Sequence, residues 1–151
     1  DYPEAYALFR EASEQYIKAN EPVEYIQCNL MMSECKILSG EPNEGRQIAE
    51  NTLEYLSKYF PNQHMVRGQA LTLKGRSYLS LGRYDLALDY LQESEELLGE
   101  LETLEKAACW SELGIVYLNN GNNELALQYL EKGLSIRQKE LSSHAYTQNN
   151  R

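Results

Sequence analysis

The chain has 151 residues, of which 42% are hydrophobic and 25% charged, enough for one domain with a substantial core. Its net charge of −9 is spread along the chain, which argues against nucleic acid, because phosphates would be repelled by most of the surface. No apolar run approaches the roughly 20 residues that cross a membrane, and no signal peptide is visible in a sequence that starts with Asp1.

All the predicted elements are helical. A single helix is expected over 3–19, followed by helical hairpins over 22–59, 63–99 and 101–140. The segment from Leu71 to Leu81 carries apolar residues at helical spacing and stops at Gly82, and the chain restarts through Tyr84, Ala87, Leu88 and Leu91 in an i, i+3, i+4 pattern. Pro3, Pro22, Pro42 and Pro61 all fall at predicted helix starts or in the loops before them, where a missing N–H costs nothing. Gly99 reads as a helix C-cap. No Val/Ile/Thr-rich alternating run suggests a strand.

Three series of residues recur in register. The glycines Gly40, Gly82 and Gly121 are 42 and 39 apart. Small residues at Ala5, Gly45, Ala87 and Ala126 keep spacings of 40, 42 and 39, as do Ala12, Thr52, Ser94 and Gly133. A larger set runs through Phe9, Ala49, Leu91 and Leu130. Such a period means stacked units, none of which buries its apolar face alone. A plain coiled coil would not place glycine breaks and small residues at these positions.

Cys28, Cys35 and Cys109 are an odd number without metal-ligand spacing. Cys28 and Cys35 lie seven apart in one predicted helix, so their Cα atoms sit about 10 Å apart, beyond the roughly 7 Å that a disulfide tolerates. Free thiols and the lack of an Asn-x-Ser/Thr sequon fit a reducing, cytoplasmic location. His64 and His144 are the only histidines and lie in predicted linkers, where packing or capping accounts for them. With no phosphate loop, calcium loop or His-Glu-x-x-His motif, no enzyme activity, cofactor or metal is expected. Asn119-Asn-Gly-Asn-Asn123 reads as an inter-helix turn. The acidic run Glu93, Glu95, Glu96, Glu100, Glu102 and Glu105 reads as a solvated helix face.

The third unit contains Trp110-x2-Leu113-Gly114-x2-Tyr117, followed by Gly121, Ala126 and Leu134. It resembles the tetratricopeptide repeat, whose signature is W-x2-L-G-x2-Y with a later Ala. The second unit keeps Gly75, Tyr78, Gly82, Tyr84 and Ala87, whereas the first has Asn29, Met32, Ser33 and Lys36 at the Trp, Leu, Gly and Tyr places. The segment from Phe60 to Val66 is similar to the linker of the longer kinesin-light-chain-type repeats, and Ser142-Ser143-His144 echoes it. The resemblance implies an all-α fold, a right-handed α-solenoid of antiparallel hairpins. It divides the chain into a half repeat at 1–20, repeats at about 21–61, 62–100 and 101–141, and the start of a further repeat at 142–151. On that reading the chain is a piece of a longer protein, with an apolar stacking face exposed at each end and self-association possible through both.

In this family the first helix of each hairpin lines the concave face. The resemblance therefore implies a peptide-binding face at Gln27, Leu30, Glu34 and Leu38, at Gln69, Thr72, Arg76 and Leu79, and at Ser111, Glu112, Ile115 and Asn119. Members that clamp a peptide carboxylate use Lys, Arg and Asn, but the matching places here hold Leu30, Glu34, Leu73, Ala108 and Glu112, which cannot grip an anion. The expected function is a protein–protein interaction module that binds a peptide or helix of another protein, or another segment of its own chain, with no nucleic acid and no membrane. The alternative is a regulatory repeat segment of a larger bacterial signalling protein, such as a sensor kinase or transcription regulator.

Overall fold

The computed structural model describes residues 1–149 and contains seven helices. They are α1 (Tyr2–Lys18), α2 (Pro22–Leu38), α3 (Pro42–Tyr59), α4 (His64–Ser80), α5 (Tyr84–Leu98), α6 (Leu104–Asn119) and α7 (Asn123–Asn149). Pro22 and Pro42 open α2 and α3, where the ring pre-sets the helical φ and the absent N–H would have had no partner. Gly82 and Gly121 turn the chain with φ of +72° and +79°, a left-handed conformation that costs a side-chain-bearing residue about 1–2 kcal/mol.

Each helix packs antiparallel on the next, as short connections require. In addition α2 packs on α4 and α4 on α6, whereas among the described residues no two odd-numbered helices pack along one another. The even helices therefore form the inner layer of a curved helical solenoid and the odd helices the outer one. No strand occurs among the described residues.

Leu56 lies in a core shared by α2, α3 and α4, and Leu91 and Leu113 lie in a second shared by α5 and α6; all three are fully buried. Each such side chain contributes about 1.5–3 kcal/mol. Trp110 is fixed between layers: its indole N–H donates to Glu95 at 2.6 Å, Tyr129 donates to the same carboxylate at 3.2 Å, and Lys106 and Lys132 lie over the ring. Glu95 therefore ties α5 to α6 and α7, a correction to its reading as part of a solvated face, while Glu93, Glu96 and Glu100 are exposed. The buried Lys106 ammonium donates to the carbonyls of Glu95 and Gly99, closing the C-terminal end of α5.

Small residues let the two helices of each hairpin meet. A Cβ added at Gly75 would stand 2.6 Å from Leu91 Cγ and 3.3 Å from the Ala87 carbonyl oxygen, and Gly114 repeats this against Leu130 and Ala126. The divergent first unit keeps the contact by exchanging partners. Ser33 stands on α2 where glycine stands in the other units, and glycine moves to α3 as Gly45, whose added Cβ would meet the Ser33 carbonyl oxygen at 2.8 Å. The Ser33 hydroxyl donates to the Gly45 carbonyl at 2.7 Å, so the polar atom is satisfied where it is buried.

Two boundaries differ from expectation. The third hairpin begins at Leu104 rather than 101, because Thr103 accepts from the Lys106 N–H and caps α6. The linker expected at Ser142–His144 is also absent, since α7 runs through it to Asn149. That stretch has no Gly or Pro, and Ser142, Ser143 and Thr147 return their hydroxyls to carbonyls of their own helix. In the segment it was matched to, Pro61 ends the helix. The last part of the expected further repeat, 150–151, lies outside the described residues.

Candidate functional site

An open groove of about 250 Å³ runs across the inner layer between α2, α4 and α6. The helical period puts Gln27, Leu30 and Glu34 on one face of α2 and Gln69, Thr72 and Arg76 at the same positions of α4, 42 residues on. All six line the groove. Leu30 and Thr72 form its buried floor, and the Thr72 hydroxyl is spent on Ser94 of α5 at 2.8 Å.

Arg76 lies at the centre. Its Nη1 donates to Glu34 Oε1 at 2.9 Å and its Nε to Glu112 Oε1 at 2.6 Å, so one guanidinium joins α2, α4 and α6. Burial pulls its pKa down, but Glu112 and Glu34 outweigh that and hold it above the ordinary arginine value. The cation is thus neutralised from within the chain, and the open groove is left with the negative charge of Glu34 and Glu105.

The remaining expected residues are placed elsewhere. Glu112 is buried beneath Arg76 rather than presented to the groove. Ser111 turns towards α7, where its Oγ would be 3.2 Å from a Cβ at Gly133, and it donates to the Ala107 carbonyl. Leu79 packs into the second core. Leu38 and Ile115 are exposed, and Asn119 donates to the Ile115 carbonyl of its own helix; none of the three lines the groove. The groove instead takes Met31, Leu73, Leu104, Glu105 and Ala108. Leu73 and Ala108 are among the places that a carboxylate clamp would use, and Ala108 lies 39 residues after Gln69, at the same repeat position.

Beside the groove a more enclosed apolar slot of about 150 Å³ opens between α2, the end of α3 and the start of α4. Val23, Ile26, Phe60 and Val66 wall it, and Gln27 stands between slot and groove. Cys28, Cys35 and Cys109 are all buried and unpaired; burial pushes the Cys109 thiol up to about 11 and raises the other two. No helix is long and apolar enough to cross a membrane, and no cluster of metal-ligating side chains occurs among the described residues.

No curated protein matches the sequence. Two solved structures align over most of it. The MamA RS-1 ArsTM double mutant is 14% identical with a TM-score of 0.40, covering 90% of this chain and 96% of that one. MamA 41-end from Desulfovibrio magneticus RS-1 is 12% identical with a TM-score of 0.40, covering 89% and 96%. The sequence model of the tetratricopeptide repeat matches residues 43–98 and 72–140, and those segments contain the Gly75 and Gly114 contacts and the Trp110 signature. The chain belongs to the tetratricopeptide repeat family.

Proposed function

We infer that the chain binds an extended segment of a partner protein along the groove of α2, α4 and α6. The observation that carries this reading is the pairing of Gln27 and Gln69 at one repeat position on neighbouring helices, beside an apolar slot. Two amides at equivalent positions offer donors and acceptors to a peptide backbone, and the slot takes one apolar side chain. Because Arg76 is already held by Glu34 and Glu112, the free charge in the groove is acidic. The segment that fits carries an apolar anchor and a basic residue towards Glu105. A cytoplasmic setting accords with three unpaired thiols.

Selection from a displayed peptide library, followed by fluorescence anisotropy on the winners, tests this. Selected peptides should share an apolar and a basic position. Gln69→Ala should weaken binding about tenfold, the worth of one well-made hydrogen bond, without moving the melting temperature. Val23→Glu should block the slot. A library that yields no binder, or binders indifferent to both substitutions, overturns the reading.

A further inference from the structure

α3 packs between α2 and α4, and α5 between α4 and α6, but among the described residues α7 packs along α6 alone and reaches α5 only through the Tyr129–Glu95 hydrogen bond. The face it leaves open carries Leu127, Leu134 and Leu141, each seven residues from the next and 57%, 53% and 72% exposed. A spacing of seven keeps them in one stripe along the helix. The repeat offset of 39 sets Leu127 at the position of Leu88 and Leu134 at that of Glu95. In the preceding hairpin both positions are covered: Leu88 packs into the second core, and Glu95 receives Trp110 of α6. The same geometry on α7 has lost its carboxylate and gained a leucine, so whatever covers it must be apolar.

We propose that this stripe is the interface between two copies of the chain, whose α7 helices pair antiparallel about a two-fold axis through Leu134. The sequence of α7 is complementary to itself in that register. An axis at 134 sets Leu127 against the partner's Leu141 and Leu134 against the partner's Leu134. It sets Glu131 against the partner's Arg137, and both of those side chains are exposed. Each of these contacts occurs twice, as an isologous interface demands, except the one on the axis. Arg137 stands where the preceding hairpin has the buried Leu98. Relative to the preceding hairpin, α7 therefore carries leucine in place of Glu95 and arginine in place of Leu98, whose own side chain packs against Gly68 of α4. Leu141 also walls, with Arg137 and His144, an open cleft of about 410 Å³ beside Leu104, and the partner's Leu127 enters it from the opposite side.

Sedimentation equilibrium of the 151-residue chain over a wide concentration range tests the proposal. A reversible dimer is expected. Leu134→Glu should abolish it, since two carboxylates then meet on the axis, and should leave the circular dichroism melt unchanged at concentrations low enough for both proteins to be monomers, because the side chain is exposed in the single chain. Glu131→Arg should weaken the dimer about tenfold, and Glu131→Arg with Arg137→Glu should restore it. A monomer at every concentration overturns the proposal, and so would covering of this face by a further helix or an unrelated protein. A dimer that survives Leu134→Glu, or a mass that grows beyond two copies, also overturns it, because each requires a different interface.

Discussion

Replacing Arg76 with leucine removes a guanidinium that touches two carboxylates on two other helices, and its cost can be built from those contacts. The Glu34 side chain is 37% exposed and water recovers it, so that pair resembles a surface ion pair worth a few tenths of a kcal/mol to about 1. The Glu112 side chain is 11% exposed, and stranding it approaches the roughly 3–5 kcal/mol penalty of a buried unpaired charge. With the leucine regaining some apolar contact against Leu73, a net loss of about 2 kcal/mol is expected. For a chain of this length that is a fall of about 4–8 °C in melting temperature. A urea titration of Arg76→Leu, Glu112→Leu and the double variant measures it as a cycle. The double variant should recover most of the loss, because an apolar pair can replace a buried ion pair at little cost. The guanidinium's raised pKa fixes the sign with pH: its contribution is complete below the ordinary arginine value and is lost only as pH rises through the still higher folded value. The cycle should therefore read alike at about pH 7 and about pH 9. A loss under about 0.5 kcal/mol for Arg76→Leu, or strictly additive single losses, would refute a stranded Glu112 as the source of the effect.

Gly114→Ala gains helix propensity but drives a Cβ to 2.6 Å from Leu130 Cγ and 3.2 Å from the Ala126 carbonyl oxygen; a net loss of about 1–2 kcal/mol is expected in chemical denaturation. Gly121→Ala meets no atom within 4 Å yet sits at φ +79°, so its loss of about 1 kcal/mol should come from the backbone alone and add to that of Gly114→Ala. Glu95→Ala leaves the Trp110 N–H and the Tyr129 hydroxyl without their shared acceptor; about 2 kcal/mol should be lost. The single tryptophan should emit at longer wavelength as water enters, whereas Glu95→Gln should retain part of both properties. Cys109, with its thiol pushed up from 9.0 to about 11, binds its proton more tightly folded than unfolded. Its contribution is complete below pH 9 and fades as pH rises to about 11, by about 2–3 kcal/mol in all; Cys109→Ala should show a flatter stability profile over that window. The same burial predicts that thiol reagents label none of the three cysteines until the chain unfolds.

The helices were legible because every signal for them is local. Pro22 and Pro42 favour a helix start, Gly82 and Gly121 a turn after one, and the recurrence of small residues every 39 to 42 positions leaves little besides stacked hairpins. The first unit looked divergent because residue types were compared position by position. The constraint is a distance between two helices, and Ser33 with Gly45 meets it as well as Gly75 with Ala87. The groove was legible in α2 and α4, where the spacing carries over unchanged, and less so in α6. There Ser111 and Glu112 are turned inward by Gly133 and Arg76, partners that lie 22 and 36 residues away. The fate of Ser142–His144 was hidden for a different reason: hydroxyl and imidazole groups serve a linker and a helix surface equally well, and only the missing proline distinguishes them.

On the proposed reading of the groove as a peptide site, the ion triad also bears on what it would accept. Arginine in a groove usually signals an anionic ligand, since its fork suits a carboxylate. Here both sides of the fork are occupied by the chain's own Glu34 and Glu112, so an acidic peptide would have to displace a contact already made at 2.6 Å and would meet Glu105 as it did so. The same triad joins three inner helices that otherwise touch only pairwise, which sets the spacing of Gln27 and Gln69 before any partner arrives. A groove held open in this way would spend little of the proposed binding energy on ordering itself. Selectivity then rests on charge and on the apolar slot, so the groove should discriminate between segments by sign first and by anchor size second.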